Sequence, residues 1–311
     1  MKRCPITYEV IKTNQNYSER GLRLLSPQLK NLNPLDLTAA ELRSEAIARA
    51  GKMSVQGVQT KLSAQLKIKA ECLQIVDQNG HYILKPQSDH YPELPENEAI
   101  TMTLAAKMNI EVPVHGLVYD KDKSMTYFIK RFDRAGHTQK LAVEDFAQLL
   151  GLDRNTKYDS SMEKIVTVIE NFCTFPKIEL VKLFKLTLFN FLVGNEDMHV
   201  KNFSLITRDQ KVTLSPAYDL LNTTIAQKNT KEELALSLNG KKNNLRKKDF
   251  FEYFAANRLG LNQTMINQVI EEFHKNIPIF EPAITNSFLS KKMQEKYLGL
   301  LNERLERLEF K

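Results

Sequence analysis

The feature that most constrains the fold of this chain is an apolar run that ends abruptly in a polar loop. Six of the eight residues from Leu186 to Val193 are large and apolar, which predicts a helix in a hydrophobic core. Gly194 and Asn195 end the run, and five of the next seven residues are polar or charged: Glu196, Asp197, His199, Lys201 and Asn202. Alternating apolar residues then predict a short hairpin, which Asp219 follows. The order is therefore a buried helix, a polar loop, a hairpin and a further acid.

The spacing of the acids and the amide in this region indicates a metal- and phosphate-binding site. Asp197 and Asn202 are five positions apart, and oxygen-bearing side chains between buried elements suit Mg²⁺ bound together with phosphates. In protein kinases, the acid that accepts the acceptor's hydroxyl proton precedes a metal-binding Asn by five residues, and a second metal-binding Asp follows a hairpin. Asp219 has that second position, although the usual His-Arg pair before the first acid is missing. For Asp197 alone, a polar turn at a helix end is the alternative, but it does not explain the whole ordered set.

The first fifty residues predict an irregular start followed by one helix. Thr38 and Glu41 have the spacing of a capping box, and the apolar face of the helix that follows is expected to hold Leu42, Ala46 and Ile47.

A polar segment then precedes the first strand. Residues 53–61 hold one glycine and one lysine, and apolar residues alternate from Leu62 onward. A loop that leads into a strand can place backbone N–H groups and a lysine against phosphates, as the glycine-rich loop of kinases does. An ordinary turn is the alternative, because a single glycine among polar residues is common in turns.

A second strand is predicted to end in a lysine. Residues 77–80, Asp-Gln-Asn-Gly, indicate a hairpin, and Tyr82 to Lys85 form a short apolar strand. Kinases pair a phosphate-binding strand lysine with a glutamate of a neighbouring helix, and Glu98 is the candidate partner. The alternatives are a lysine that simply reaches solvent and a glutamate that only stabilises the N-terminus of its helix.

The pattern changes from strands to helices along the chain. Residues 114–118 and 125–132 predict two strands, with a hinge between two lobes at 130–132. Helical patterns cover 144–150, 165–172, 178–193, 248–259, 265–277 and 291–308, with a possible strand at 234–238. This order predicts an α+β, bilobal fold with a strand-rich N-terminal lobe over residues 1–132 and a helical C-terminal lobe over residues 133–311.

Composition narrows the class of protein. The 311 residues are 42% hydrophobic and 26% charged, which is ordinary for a globular protein. No apolar run reaches the length of a membrane span and the basic N-terminus lacks an apolar signal core, so a cytoplasmic protein with no membrane partner is expected. Three scattered cysteines make no metal-binding spacing. The net charge of +7 permits a nucleic-acid or acidic partner, but the basic run 241–248 is more often a solvated surface.

Six motifs in a fixed order resemble the HipA-like serine/threonine kinases, which are toxins of bacterial toxin–antitoxin systems. They are Ser54-x-x-Gly57-x-Gln59-x-Lys61, Ile83-x-Lys85-Pro86, Asn97-Glu98, Arg131-Phe132-Asp133-Arg134, Glu144-Asp145-Phe146, and the loop Gly194-Asn195-x-Asp197-x-His199-x-Lys201-Asn202-Phe203-Ser204 with Pro216-x-Tyr218-Asp219-Leu220. The resemblance implies a protein-kinase-like fold with ATP and Mg²⁺ as cofactors.

The resemblance also implies a role for each matching position. Asp197 would be the catalytic base, Ser54 the autophosphorylated serine, and Glu98 the structural ion-pair partner of the strand lysine. Asn202 and Asp219 would bind the metal. The phosphates, the adenine and the neighbourhood of the transferred phosphate would be contacted by Gln56, Gly57, Val58, Gln59, Thr60, Lys61, Lys85, Lys130, Arg131, Phe132, His199, Val200, Lys201, Asn202, Tyr218 and Asp219.

The resemblance is to the short members of the family. Common long members carry an extra N-terminal subdomain of roughly a hundred residues, whereas only about fifty residues precede the serine loop here. This is similar to the HipT-type kinases of three-component HipBST systems, in which a separate small protein supplies the missing part. The implied partners are therefore a HipS-like small protein and a HipB-like DNA-binding antitoxin, with operator DNA contacted only through the antitoxin. The implied substrate is an aminoacyl-tRNA synthetase, whose phosphorylation would block translation.

Two other functions stay open at this point. A small-molecule kinase could use the same lobes and the same loop chemistry. A nucleic-acid-binding adaptor could use the basic run 241–248 and carry a degenerate kinase core, although the complete set of Lys85, Asp197, Asn202 and Asp219 argues against degeneracy.

Overall fold

The structure, a computed structural model, describes residues 2–12, 14–49, 60–136, 139–153, 155–227 and 232–310. The chain divides into two compact units. Unit 1 comprises Met1–Ile100, Pro113–Thr138 and Asn286–Ser290, and unit 2 comprises Thr101–Val112, Gln139–Thr285 and Lys291–Lys311. Most of the predicted serine loop lies outside the described residues, namely Ser54, Gln56, Gly57, Val58 and Gln59.

A five-stranded antiparallel sheet forms the centre of unit 1. Its strands are β1 (Leu62–Lys67), β2 (Cys72–Ile75), β3 (Tyr82–Lys85), β4 (His115–Tyr119) and β5 (Met125–Lys130), in the order β2-β1-β3-β5-β4. Strand β3 lies between β1 and β5, and its last residue, Lys85, is in register with Tyr127. Lys85 therefore ends an interior strand whose backbone is fixed from both sides.

The hairpin predicted at residues 77–80 is wrong. β1 lies between β2 and β3 in the sheet, so the turn passes β1 instead of joining two neighbouring strands, and the hairpin of this region joins β1 to β2. A Cβ on Gly80 would clash with Ser63 Oγ and would lie 3.0 Å from Ala64 N. Glycine is needed here because two backbone segments approach closely, and this need resembles a hairpin signal in the sequence.

Two helices, α1 (Glu19–Leu25) and α2 (Ala39–Arg49), contribute Leu22, Leu42 and Ala46 to one hydrophobic core with the strand residues Leu62, Leu84 and Phe128. The predicted capping box is confirmed, since Thr38 N donates to Glu41 Oε2 at 2.8 Å and Glu41 N donates to Thr38 Oγ1 at 3.3 Å. Ile47 is 67% exposed, so its predicted place on the apolar face is wrong. The helix buries a narrower stripe than the sequence indicates.

Unit 2 is mainly helical. Helix α3 (Leu94–Lys107) begins in unit 1, and its residues from Thr101 onward belong to unit 2. The other helices are α4 (Phe146–Leu149), α5 (Met162–Phe172), α6 (Pro176–Val193), α7 (Thr223–Ala226), α8 (Gln263–Asn276), α9 (Phe280–Thr285) and α10 (Lys291–Arg307), with a π-helix over Asp249–Arg258 and 3₁₀ turns at Val200–Asn202 and Ile277–Ile279. No helix in the described part of the chain has the length and apolar character that crossing a membrane requires.

The remaining strands are short. β6 (Arg134–Ala135) and β7 (Gln139–Lys140) have two residues each, and β8 (Val143–Asp145), β9 (Ser204–Arg208) and β10 (Lys211–Leu214) form an antiparallel sheet in the order β10-β9-β8. The hairpin predicted after the polar loop is β9–β10. The possible strand at 234–238 is not formed, because its residues make only isolated bridges at Ser237 and Leu238.

Helix α6 is the core helix predicted from the apolar run. Three of its phenylalanines, Phe184, Phe189 and Phe191, pack against Phe251, Phe280 and Phe250. The helix ends at Gly194, whose φ of 68° is the left-handed conformation that glycine tolerates. A Cβ there would lie 2.8 Å from Thr224 Oγ1, so both the backbone conformation and the space require glycine. The polar loop thus begins from a rigid, buried point.

Candidate active site

Buried amides fix the loop that follows α6. Asn195 is fully buried, and its Nδ2 donates to Asn190 Oδ1 at 3.0 Å while its Oδ1 accepts from Asp197 N at 3.2 Å. The carbonyl of Gly194 accepts from Thr223 N at 3.0 Å and from Thr224 Oγ1 at 3.1 Å. The backbone entering Asp197 is therefore held by α6 on one side and by the start of α7 on the other.

Asn202 closes the loop onto Asp197. Its Nδ2 donates to the carbonyl oxygen of Asp197 at 2.8 Å, across the predicted offset of five residues. Because the amide nitrogen is used in this bond, Oδ1 is the end of the Asn202 side chain that can face a cation. The Asp197 side chain itself is 42% exposed. Its backbone is fixed at both ends while its carboxylate stays accessible.

His199 lies buried beside the Asp197 carboxylate, with Nε2 3.9 Å from Asp197 Oδ1. Burial lowers the pKa of His199 and the charge of Lys157 lowers it further, against the opposing effect of Asp197. Lys157 Nζ lies 2.7 Å from Nε2 and donates to it, so the neutral ring carries its proton on Nδ1. Among the residues that the structure describes, Nδ1 has no hydrogen-bond partner.

Asp219 follows β10 in a backbone conformation that is uncommon for an acid, with φ of 55°. Its charge raises the pKa of His199, so the two side chains share one neighbourhood. The Tyr218 hydroxyl donates to the carbonyl of Lys201 at 3.0 Å and lies 2.6 Å from Ser204 Oγ. Tyr218, predicted to contact ATP, thus uses its hydroxyl to tie the segment carrying Asp219 to the polar loop.

The side-chain donors present fit Mg²⁺ in combination with phosphates. Asn202 and Asp219 supply oxygen, the ligand atom that Mg²⁺ prefers. Within the described ranges, no three His, Cys, Asp or Glu side chains cluster in a way that would hold a metal ion. Mg²⁺ in phosphoryl-transfer enzymes is commonly bound by one or two protein oxygens and completed by substrate phosphates and water. Asn202 and Asp219 would match that number of protein ligands.

Unit 1 contains the predicted lysine–glutamate pair. Lys85 Nζ lies 2.5 Å from Glu98 Oε1, and the two side chains are 2% and 0% exposed. Lys85 Nζ also lies 5.6 Å from the centre of the Tyr127 ring. Thr60 and Lys61, the two described residues of the predicted phosphate loop, are half-buried directly before β1.

The backbone N–H groups of Lys130 and Arg131, two of the predicted adenine contacts, already make hydrogen bonds within unit 1. Lys130 N donates to Val114 O and Arg131 N donates to His81 O, both at 2.8 Å. An adenine contact by these two residues would therefore use their carbonyl groups. The Arg131 guanidinium donates two hydrogen bonds, of 2.9 and 2.7 Å, to the Asp133 carboxylate. Burial acts to raise the pKa of Asp133, but the Arg131 and Arg134 guanidiniums overcome that effect and hold it below its usual value.

The other predicted ATP contacts in the loop are Val200 and Lys201. Val200 is fully buried, and Lys201 Nζ lies 3.4 Å from Asp145 Oδ2. Val200 packs inside unit 2, whereas the Lys201–Asp145 pair is partly exposed.

Sequence reasoning missed two residues at the site, Lys157 and Tyr158. The Tyr158 hydroxyl donates to Asp197 Oδ1 at 2.5 Å, and its ring lies 5.1 Å from the His199 ring in an edge-on arrangement. Burial and the hydrogen bond to Asp197 both raise the pKa of Tyr158. The two bonded residues are 39 positions apart and belong to no common motif, so the spacing of the sequence carried no signal of this contact.

The interior lysine strand with its helix glutamate, and the Asp–Asn loop followed by a second Asp, define a kinase-like protein. Residues 53–279 match the model of the HipA-like C-terminal domain, and the chain belongs to this family. It is 30% identical, over 97% of its length, to a Haemophilus influenzae protein named "Putative kinase", of which it covers 98%. It is 26% identical to the serine/threonine-protein kinase toxin HipA of Shewanella oneidensis, over 60% of this chain and 47% of that protein. The chain thus spans about half the length of that relative.

A solved structure has the same fold. HipA from the Shewanella oneidensis MR-1 complex of HipA, HipB and operator DNA superposes with a TM-score of 0.67 at 20% identity, covering 90% of this chain and 73% of that chain. The predicted α+β, kinase-like fold is confirmed by this likeness.

Proposed function

We propose that this chain is an ATP-dependent kinase that transfers the γ-phosphoryl group to a serine or threonine of a protein, as the toxin of a toxin–antitoxin system. One observation carries the proposal: the half-exposed Asp197 carboxylate is fixed through its backbone by Asn202 at 2.8 Å and lies beside the buried His199. A carboxylate that is accessible but held in place is what a general base for an acceptor hydroxyl requires. The names of the relatives support kinase chemistry.

The proposed reaction uses each of these groups once. Asp197 accepts the proton of the acceptor hydroxyl while the hydroxyl oxygen attacks the γ-phosphorus, and the bond from that phosphorus to the bridging oxygen of ADP breaks. The sequence resemblance assigns His199 and Lys85 to the phosphates of ATP. Asn202 and Asp219 would hold Mg²⁺, which would supply positive charge to the phosphates. Catalysis of this kind rests mainly on positioning and charge stabilisation.

The finer predictions form part of the proposal. Residues 1–132 act as the nucleotide-binding lobe and 133–311 as the catalytic lobe. HipB is present in the S. oneidensis HipA complex, which supports a HipB-like antitoxin as a partner that would bring DNA contact indirectly. A HipS-like small protein, an aminoacyl-tRNA synthetase substrate and autophosphorylation of Ser54 rest on the sequence resemblance.

The test is transfer of label from γ-labelled ATP, with Mg²⁺, to proteins of a cell extract. We expect Asp197→Asn to lower the rate by about 10²–10⁴-fold, the usual contribution of a general base. A rate equal to wild type would contradict the assignment of Asp197.

Label in metabolites instead of protein would favour a small-molecule kinase. No ATP turnover, together with strongly salt-dependent DNA binding, would favour an adaptor. Mass spectrometry of Ser54 in the wild type and in Asp197→Asn tests autophosphorylation.

A further inference from the structure

The Asp197 carboxylate accepts a hydrogen bond from a hydroxyl group of the chain itself. Tyr158, in the connection between α4 and α5, donates to Asp197 Oδ1 at 2.5 Å. Within the described residues, this is the hydrogen bond that the carboxylate of Asp197 receives. Lys157 Nζ lies 4.7 Å from the centre of the Tyr158 ring and 2.7 Å from His199 Nε2, so the two neighbouring residues, Tyr158 and Lys157, contact Asp197 and His199 respectively.

This hydrogen bond is the one that a phosphoryl acceptor must make. A general base acts on a hydroxyl that lies within hydrogen-bond reach of its oxygen, and a phenol O–H donates to a carboxylate as an alcohol O–H does. We propose that the Tyr158 hydroxyl fills the acceptor-hydroxyl subsite of the free kinase, so that an acceptor or a water molecule reaches Asp197 Oδ1 only by displacing it. The proposal rests on the proposed function, because it takes Asp197 as the base.

The surroundings indicate that Tyr158 is displaceable and is not needed to position the base. Asn195 and Asn202 fix the backbone of Asp197 from its N–H and its carbonyl. Tyr158 is 38% exposed and comes shortly after a local turn in which Asp153 Oδ1 accepts from Thr156 N at 3.0 Å. A partly exposed side chain on a surface connection can leave at a small cost, whereas a positioning residue would be expected in the core.

The chemistry of the phenol decides what can open the subsite. Burial and the bond to Asp197 raise the pKa of Tyr158, so the hydroxyl stays protonated and remains a donor at neutral pH. Ionisation therefore does not release it, and a competing donor has to take its place. Tyr158 thus disfavours transfer to water, which binds weakly, relative to an acceptor that brings further contacts.

The test uses water as the acceptor, so that no protein substrate has to be known. ATP hydrolysis is measured with Mg²⁺ for the wild type and for Tyr158→Phe, which keeps the ring against His199 and removes the O–H. We expect hydrolysis to rise by about three- to tenfold, the range for loss of one hydrogen bond to a charged, partly exposed group. An unchanged or lower rate would overturn the proposal, and a lower rate would make Tyr158 a positioning residue.

Two controls separate this inference from the proposed function. Tyr91→Phe removes a hydroxyl from a tyrosine that is 39% exposed in unit 1, and it should leave hydrolysis unchanged. Tyr158→Phe combined with Asp197→Asn should lose the gain, because the freed oxygen no longer acts as a base. If Asp197→Asn abolishes transfer to protein but Tyr158→Phe has no effect on hydrolysis, the kinase assignment stands and the displacement inference fails. If Asp197→Asn has no effect on transfer, the assignment of Asp197 as the base fails, and the displacement inference fails with it.

Discussion

The two units present their charged groups in opposite ways. In unit 1, Lys85 and Glu98 face each other at 2.5 Å with side chains that are 2% and 0% exposed. In unit 2, Asp197 is 42% exposed, and its carboxylate is bonded by a tyrosine of a surface connection. One pair is buried between a sheet and a helix, whereas the other site is an accessible carboxylate on a rigid backbone.

The difference matches what each group would do in phosphoryl transfer. A lysine that binds phosphate in every cycle gains from being held in one orientation, and a buried carboxylate provides this at a cost in desolvation. A base has to exchange partners in each turnover, so it needs access to solvent and a fixed backbone. The comparison therefore predicts that function and stability are coupled in unit 1 and separable in unit 2.

The largest expected effect on stability comes from breaking the buried pair. Lys85→Met removes the ammonium that neutralises Glu98, and we expect the free energy of unfolding to fall by about 3–5 kcal/mol. Phosphoryl transfer should also fall by about a hundredfold or more, because a charge on the phosphates is lost. Asp197→Asn should lose transfer with a free energy of unfolding within about 0.5 kcal/mol of wild type. Urea unfolding of both variants measures the contrast.

A double variant sharpens this contrast. Lys85→Met combined with Glu98→Leu replaces both charges by apolar side chains, which is often neutral or stabilising for a buried pair. We expect most of the stability to return while transfer stays absent. Recovery of activity together with stability would mean that Lys85 acts only on folding, and the comparison between the units would then fail.

The sequence predicts more of the loop than of its surroundings, for a physical reason. Asp197 and Asn202 interact over five positions, and Thr38 and Glu41 over three, so short-range spacing is enough to predict these contacts. Lys85 and Glu98 lie on a strand and the next helix of the chain, and the resemblance indicated their pairing. Tyr158 reaches its partner across 39 positions, and only the fold brings the two together.

The wrong hairpin prediction at residues 77–80 has the same cause, because local sequence does not contain long-range contacts. Asp77 to Gly80 have the composition of a tight turn between neighbouring strands, but strand order is a property of the whole sheet. Gly80 is required by the nearby β1 backbone at Ala64, a contact that no local pattern contains.

The free energy of unfolding should also depend on pH through Glu96, a buried acid of unit 1. Burial raises the pKa of Glu96 from 4.5 to about 7, although Gln87 donates to its two oxygens at 2.8 and 2.9 Å. Between these pH values, the folded chain keeps a proton that the unfolded chain has released. The free energy of unfolding should therefore fall as the pH rises from about 5 to 8, by about 3 kcal/mol from this group.

The measurement is the difference between wild type and Glu96→Gln in urea unfolding at several pH values. The variant carries no titrating group at this position, so its free energy of unfolding should not show the decrease that Glu96 causes as the pH rises. Asp120, whose pKa burial raises to about 6, titrates in both proteins, so its contribution cancels in the difference except for its electrostatic interaction with Glu96. A difference that stays constant between pH 5 and pH 8 would mean that Glu96 is hydrated. The contrast between buried acids in unit 1 and an exposed acid in unit 2 would then not hold for this residue.

The smallest effects come from a matched pair of helix caps, one in each unit. Thr38 caps α2 in a box with Glu41, and Asp145 caps α4 in a box with Gln148. Thr38→Ala and Asp145→Ala should each lower the free energy of unfolding by about 1 kcal/mol. Asp145 Oδ2 also lies 3.4 Å from Lys201 Nζ in the polar loop, so its loss should lower kcat by about two- to fivefold. Thr38 has no such contact with the loop in the described chain, and its variant should keep the wild-type kcat. Because both variants lose a similar cap, any gap in kcat between them measures support of the loop and not stability.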